Sequence, residues 1–378
     1  MNAFEYPSRT RVVFGAGMLD RLGELARELG FRRTLLVTDR GLVAAGHFDH
    51  AAKLLKAAGV AVVPFHDFPI NPDTRVVEAG RDVARAGEVD SIIGLGGGSS
   101  MDCAKGINFL FTNGGRMQDY WGYGKATQPM LPMIGIPTTT GTGSEAQSYA
   151  LVADAETHQK MACGDPKASF RVAILDPQLA VSQPDAVRAM AGYDALSHAV
   201  ETFVTTRRTP GSEKLSREAW RLLSANYERA LAEPDNVEVQ GHMMMGAHFA
   251  GAAIENSMLG ATHACANPLT ARYGTVHGAA IALLLAHVVR WNGSVAGHLY
   301  AELAGSTNGS PERAAEALAM RLEGFARAGR LATRLGEAGI PREDLTVLSE
   351  DAGKQWTGQF NPRPFDAAGA LEVYQCAY

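Results

Sequence analysis

The sequence has few cysteines, and none are paired by spacing. Cys103, Cys163, Cys265 and Cys376 are the four, with no CxxC among them. That distribution excludes a disulfide framework and a zinc-finger pattern. Scattered thiols of this kind suit a reducing compartment. Long apolar runs are also missing. The longest, GAAIALLLAHVV at 278–289, is too short to span a bilayer and carries His287. The opening segment, MNAFEYPSRTRVVFGAG, lacks the apolar core of a secretion signal. No sign of charge dominates: 35 Lys and Arg stand against 40 Asp and Glu, a net of −5, with no basic run. Such a chain offers no electrostatic footprint for nucleic acid or an anionic membrane. These absences lead to the expectation of a cytoplasmic protein that binds neither.

What is present is material for a large core. Apolar residues make up 46% of the 378 and charged residues 20%. At roughly 150 residues per domain, the length predicts two domains or one very large one. The first half alternates short β-branched runs with helical periodicity. Strands are expected at 10–17, 34–39, 60–65, 91–96, 130–138 and 171–177. Helices are expected between them at 18–29, 43–58, 74–86 and from about 99. Apolar strands separated by helices predict βαβ units and a parallel sheet covered on both faces. After about 180 the pattern becomes helical, at 212–232, 242–271 (a buried helix or helix pair), 310–336 and 341–353. The boundary is expected near 180–190, between an α/β half, 1–183, and an all-helical half, 184–378.

Glycine is abundant, 41 residues, above the usual ~7%. Three glycines sit together in GLGGGSSMDCAKG (94–106), after an apolar strand and at the start of a helix. Missing Cβ atoms let backbone approach a ligand, and free N–H groups with the helix dipole suit a pyrophosphate. The segment is neither GxGxxG nor a Walker sequence. A second polar loop, PTTTGTGSE (137–145), follows another strand. Two such loops at neighbouring strand ends point to a dinucleotide. Asp39 ends the second strand, where a carboxylate can accept from a ribose 2′-OH and repels a 2′-phosphate. That favours NAD over NADP, with the adjacent Arg40 able to soften the preference.

In the helical half, Asp194 and His198 stand four apart in AGYDALSHAVE, on one face of a helix. Two further histidines, His263 and His277, lie in GATHACANPLTARYGTVHG (260–278). One carboxylate and three imidazoles make a set that suits Fe(II) or Zn(II).

The glycine loop, the PTTTGTGSE loop, DALSHAVE, HACANPLTARYGTVHG and the late NPRP (361–364) together resemble the iron-containing, group III, alcohol dehydrogenases. The resemblance covers essentially the whole chain. It implies a dehydroquinate synthase-like architecture, an α/β dinucleotide-binding domain followed by an all-α metal-binding domain. It places Asp194, His198, His263 and His277 at the metal-ligand positions and Gly97, Gly98 and Ser99 at the pyrophosphate. Thr138, Thr139, Thr142 and Ser144 fall on the cofactor-binding threonine loop. Asp39 and Asn71 match positions on the adenosine side, and Lys160 and Leu179 match other cofactor-lining positions. The implied reaction is NAD-dependent, iron-dependent hydride transfer between a small primary alcohol or diol and its aldehyde. A homodimer is implied as well. One residue departs from the family. Where a second histidine usually follows the third ligand by four, this chain has Asn267, which can hydrogen-bond but cannot exchange a proton near neutral pH. Alternatives are a lyase of the dehydroquinate-synthase kind, using NAD transiently, and a member that binds without catalysis.

Overall fold

The protein is described by a computed structural model, which covers residues 9–68, 71–305 and 310–378. The first eight residues of the opening segment read above lie outside the described residues. Two compact units divide the chain, Met1–Gln183 and Pro184–Tyr378.

The first unit contains β1 (Arg11–Phe14), α1 (Leu22–Glu28), β2 (Arg33–Val37), α2 (Arg40–Ala44), α3 (His47–Ala57), β3 (Ala61–Phe65), α4 (Thr74–Ala86), β4 (Ser91–Gly96), α5 (Gly98–Asn113), β5 (Gly122–Tyr123), β6 (Met133–Pro137), β7 (Tyr149–Ala153), β8 (Lys160–Gly164), β9 (Val172–Leu175) and α6 (Pro177–Val181). Six strands form one sheet in the order β1-β9-β6-β4-β2-β3. Every pair in it is parallel. The two central strands, SIIGLG and MIGIP, are buried along their whole length. This is why they read as continuous apolar runs rather than alternating ones. One face packs Leu35, Ile92 and Ile107 among others. The opposite face packs Leu36, Ile93 and Ile174.

All six expected strands are there. The expected helix at 43–58 is two helices, because Gly46 breaks it with φ 80°. The first turn of the expected helix at 18–29 is 3-10. A second sheet, order β5-β8-β7, was not anticipated. Its strands carry little sequence signal: β5 is two residues long and KMACG has no β-branched residue.

The second unit has no strand among its described residues. Its helices are α7 (Asp185–Val204), α8 (Pro210–Ala232), α9 (Val237–Ser257), α10 (Ala261–Tyr273), α11 (His277–Trp291), α12 (Gly293–Ala304), α13 (Pro311–Ala328), α14 (Leu345–Gly353) and α15 (Ala367–Ala377). The Ala-, Gly- and Met-rich stretch is a helix pair, α9 and α10, parted at Met258, which has φ 75°. The helix expected over 310–336 stops at Ala328. A Cβ on Gly329 would stand 2.4 Å from the Tyr227 hydroxyl, and Arg330 then turns the chain with φ 53°. No single helix among the described residues is long and apolar enough to cross a membrane.

Sheet order brings the two polar loops together. β4 and β6 are neighbours, with Gly96 opposite Pro137, and the Thr138 N–H donates to the Gly96 carbonyl at 3.0 Å. Lys105 fixes the second loop from below. Its ammonium is fully buried and donates to the Ser144 carbonyl at 2.7 Å, the Ser144 hydroxyl at 2.8 Å and the Tyr149 carbonyl at 2.8 Å. The Ser144 hydroxyl in turn donates to Asp102 at 2.6 Å. Sequence reasoning passed over Asp102 and Lys105, although both lie in the quoted MDCAK segment. Removing a buried cation strands its acceptors and its counter-charge. Lys105→Met is therefore expected to lower unfolding free energy by about 3–5 kcal/mol in denaturant titration. A loss under about 1 kcal/mol would contradict the assigned role.

Candidate metal centre and cofactor loops

The candidate metal centre is built on α7, with one group from α10 and one from the start of α11. Asp194 and His198 are one turn apart on α7 and face the same way. His263 sits in the first turn of α10, and His277 is the first residue of α11. The Asp194 Oδ1 atom lies 3.4 Å from Nε2 of His198, 3.6 Å from Nε2 of His263 and 3.8 Å from Nε2 of His277. The His198 and His263 rings stack with centroids 5.0 Å apart. The His263 and His277 centroids are 5.3 Å apart. Asp194, His263 and His277 each offer a ligand atom, all within 4.8 Å of one another. Around a four-coordinate ion with bonds of ~2.0–2.2 Å, donor atoms stand about 3.3–3.6 Å apart. The distances from Asp194 to His198 and His263 fall in that range, and the distance to His277 lies just beyond it.

Two further observations agree with that fit. Asp194 Oδ1 and His263 Nε2 are buried and have no hydrogen-bond partner, a costly state for polar atoms without an ion. His198 and His263 are buried, while the side chains of Asp194 and His277 keep 14% and 22% of their exposure. Exposure at the centre is thus confined to Asp194 and His277.

The electrostatics show which charges the site carries. Burial alone would raise the Asp194 carboxyl, but His198 and His277, then His263, outweigh it and hold the group well below the usual carboxylate range. Burial alone would lower His263, but Glu201 and Asp194 push it up to about 9. Glu201 was not singled out in the sequence, although it closes the DALSHAVE segment. Its carboxylate lies 2.5 Å from His263 Nδ1 and accepts the Thr262 N–H at 2.6 Å. Two carboxylates so close to three imidazoles make a strongly cation-seeking cluster.

Asn267 lies one turn past His263 on α10, half-buried. Its side-chain amide donates to Gln355 Oε1 at 3.0 Å. Gln355 also escaped the sequence reading, being 88 residues away.

In the first unit the glycine loop and the threonine loop touch. A Cβ on Gly98 would stand 2.7 Å from Thr142 Oγ1, and one on Gly97 would stand 3.3 Å from Thr139 Cγ2. Gly96 has φ 147°, a conformation that favours glycine. No side chain caps the start of α5, so its first N–H groups are left to a ligand or water. Asn71 joins this loop, its N–H donating to Ser99 Oγ at 3.2 Å. Thr138 is buried beside Gly96. Ser144 is buried, and its hydroxyl is engaged with Asp102 and Lys105. Asp39 caps α2, accepting the Leu42 N–H at 3.1 Å. Arg40 is ion-paired with Asp67, its Nε 2.6 Å from the carboxylate. Lys160 opens β8, opposite Ala153. Leu179, in α6, is buried in the apolar layer with Ile174. The structure therefore gathers Gly97, Gly98, Ser99, Asn71, Thr139 and Thr142 in one place. Ser144 and Leu179 are committed to the interior.

Comparison with known proteins agrees over the whole length. The profile described as iron-containing alcohol dehydrogenase matches residues 9–177, and that described as Fe-containing alcohol dehydrogenase family, C-terminal, matches residues 188–378. Alcohol dehydrogenase 4 of Schizosaccharomyces pombe is 33% identical over 372 residues, covering 96% of this chain and 86% of that protein. NAD-dependent methanol dehydrogenase of Bacillus methanolicus is 32% identical over 356 residues, covering 93% of each. A solved 1,3-propanediol oxidoreductase superposes with a TM-score of 0.95 at 31% identity, covering 100% of both chains. The architecture, an α/β unit with a parallel sheet followed by a helical unit, is that of these dehydroquinate synthase-like folds. The chain belongs to the iron-containing alcohol dehydrogenase family.

Proposed function

We propose that this enzyme is an NAD- and divalent-metal-dependent alcohol dehydrogenase that interconverts a small primary alcohol or diol with its aldehyde. The observation that carries the reading is the position of Asp194 Oδ1, 3.4–3.8 Å from three imidazole Nε2 atoms. In this reading Asp194, His198, His263 and His277 hold one ion, Fe(II) or Zn(II), since the donor set suits both. When bound, the ion supplies Lewis acidity toward the alcohol oxygen or aldehyde carbonyl, and the nicotinamide exchanges the hydride. The chain's own residues do the rest. N–H groups at Gly97, Gly98 and Ser99 face the pyrophosphate, where the dipole of α5 favours negative charge. Thr139 and Thr142 form the facing wall of hydroxyls. Thr138, Ser144, Lys160 and Leu179 support that side of the cofactor site, Ser144 through its bonds to Asp102 and Lys105. Asp39 accepts from the adenosine ribose and disfavours a 2′-phosphate, while the neighbouring Arg40 pairs with Asp67 at the surface. Asn71 lines the adenosine side. Asn267, bonded to Gln355, presents an amide near the ion rather than a group that trades protons.

Small primary alcohols and diols are favoured because the similar enzymes carry the names of methanol and 1,3-propanediol. The test is NADH formation from a panel of these substrates with metal-stripped, Fe(II)-loaded and Zn(II)-loaded protein. Activity is expected only with metal. Asp194→Ala should lose more than about 100-fold of it while NAD affinity stays within about threefold. Full turnover by the stripped protein would contradict the reading. Steady NADH accumulation also excludes a lyase that reoxidises its cofactor in each turnover.

A second expectation concerns proton transfer. Asn267→His introduces a group that titrates near ~6.5. The kcat/KM profile of the variant should gain an inflection between about pH 6 and 8 that the wild-type enzyme lacks. Superimposable profiles would mean that position 267 takes no part in moving a proton.

A further inference from the structure

We infer that Glu201 is the positioning residue of the metal centre: it fixes the tautomer of His263 and ties the helix that carries His263 to the helix that carries Asp194 and His198. The inference rests on the proposed metal-centre reading and extends it to a residue outside the ligand set.

A histidine binds an ion through one ring nitrogen only if that nitrogen has no proton. Which nitrogen is bare is decided by the bond the other one makes. In His263, Nε2 is the atom turned toward Asp194, at 3.6 Å. Its Nδ1 lies 2.5 Å from Glu201 Oε2. An ionised carboxylate only accepts, so Nδ1 must be the donor. The proton is thereby kept away from Nε2, which presents its lone pair to the ion.

The second oxygen of Glu201 is used as well. It accepts the Thr262 N–H at 2.6 Å, in the first turn of α10. No side chain of its own caps that helix. The neighbouring Ala261 N–H goes to Asn361 Oδ1 at 3.2 Å. A carboxylate at this end is also favoured by the helix dipole. Gly260 makes room for both acceptors: a Cβ there would stand 3.0 Å from Asn361 Oδ1 and 3.1 Å from Glu201 Oε1. Glu201 lies seven residues after Asp194 and three after His198, so α7 turns all three toward α10. One carboxylate thus sets both the protonation of one ligand and its distance from two others.

Glu201→Gln is the sharp variant. If its carbonyl keeps the Thr262 N–H, its NH2 faces His263 Nδ1 and donates, which moves the ring proton to Nε2. Asn361→Ala is the control, because it removes the other tether of α10 and leaves the Glu201–His263 bond intact. Zn(II) affinity is measured by chelator competition, NAD affinity alongside it, and the His263 tautomer by nitrogen NMR of histidine-labelled, metal-free protein at a pH well above 9, where the ring is neutral. Metal-free wild type should show Nδ1–H and a bare Nε2. Glu201→Gln should weaken Zn(II) binding by about 10–100-fold, keep NAD affinity, and shift the His263 proton to Nε2. Asn361→Ala should leave the tautomer unchanged. Wild-type Zn(II) affinity in Glu201→Gln would overturn the inference. Equal losses in both variants, with an unchanged tautomer, would also overturn it by reducing Glu201 to a helix tether. Should Glu201→Gln fail to fold, the wild-type spectrum of the neutral ring alone decides, and a proton on Nε2 with Nδ1 bare refutes the assignment. A wild-type protein that binds no Zn(II) would overturn the metal-centre reading, and this inference with it.

Discussion

The structure depends on one unresolved attraction. Asp194 Oδ1 and three imidazole Nε2 atoms converge within a space that suits a single ion, and those of Asp194 and His263 are buried without hydrogen-bond partners. Polar atoms in that state cost free energy unless something joins them. A divalent ion, as proposed, would join them, with the four side chains as its ligands. The rest of the unit serves that spacing. α7 carries two of the four groups on one face, α10 enters with its first turn pinned by Glu201 and Asn361, and α11 begins at the fourth.

The α/β unit applies a different constraint to a different partner. Its two central strands are adjacent and buried, so the loops at their ends must meet. Glycine at 98 is required by the nearness of Thr142 rather than by a turn. Beneath them, Lys105 donates to Ser144 and Ser144 donates to Asp102, which ties that end of the threonine loop to α5. Both units therefore place their chemistry at element ends, where free backbone groups and short side chains are available, and use buried carboxylates to fix it.

Much of this was legible in the sequence because it is local. Six parallel strands announced themselves as β-branched runs, and the four-residue spacing of Asp194 and His198 put both on one helix face without any tertiary knowledge. His277 could be placed at a helix start by the apolar run that follows it. What stayed hidden depends on contacts distant in sequence. Glu201 stands in the same short motif, but its partner lies 62 residues on, and only the packing of α7 against α10 gives it a task. Lys105 has its acceptors 39 and 44 residues on, at Ser144 and Tyr149. The Tyr227 hydroxyl leaves no room for a side chain at Gly329, just past the end of α13, and the local sequence says nothing about it. The departure at Asn267 was visible, while the amide that holds it, Gln355, was not.

The most direct measurement is anomalous diffraction from crystals of the full chain soaked in Zn(II) or, without oxygen, in Fe(II). The account predicts one ion bonded at ~2.0–2.2 Å to an oxygen of Asp194 and to Nε2 of His198, His263 and His277. An ion bound elsewhere in the protein, with these four side chains left as they are, would contradict it.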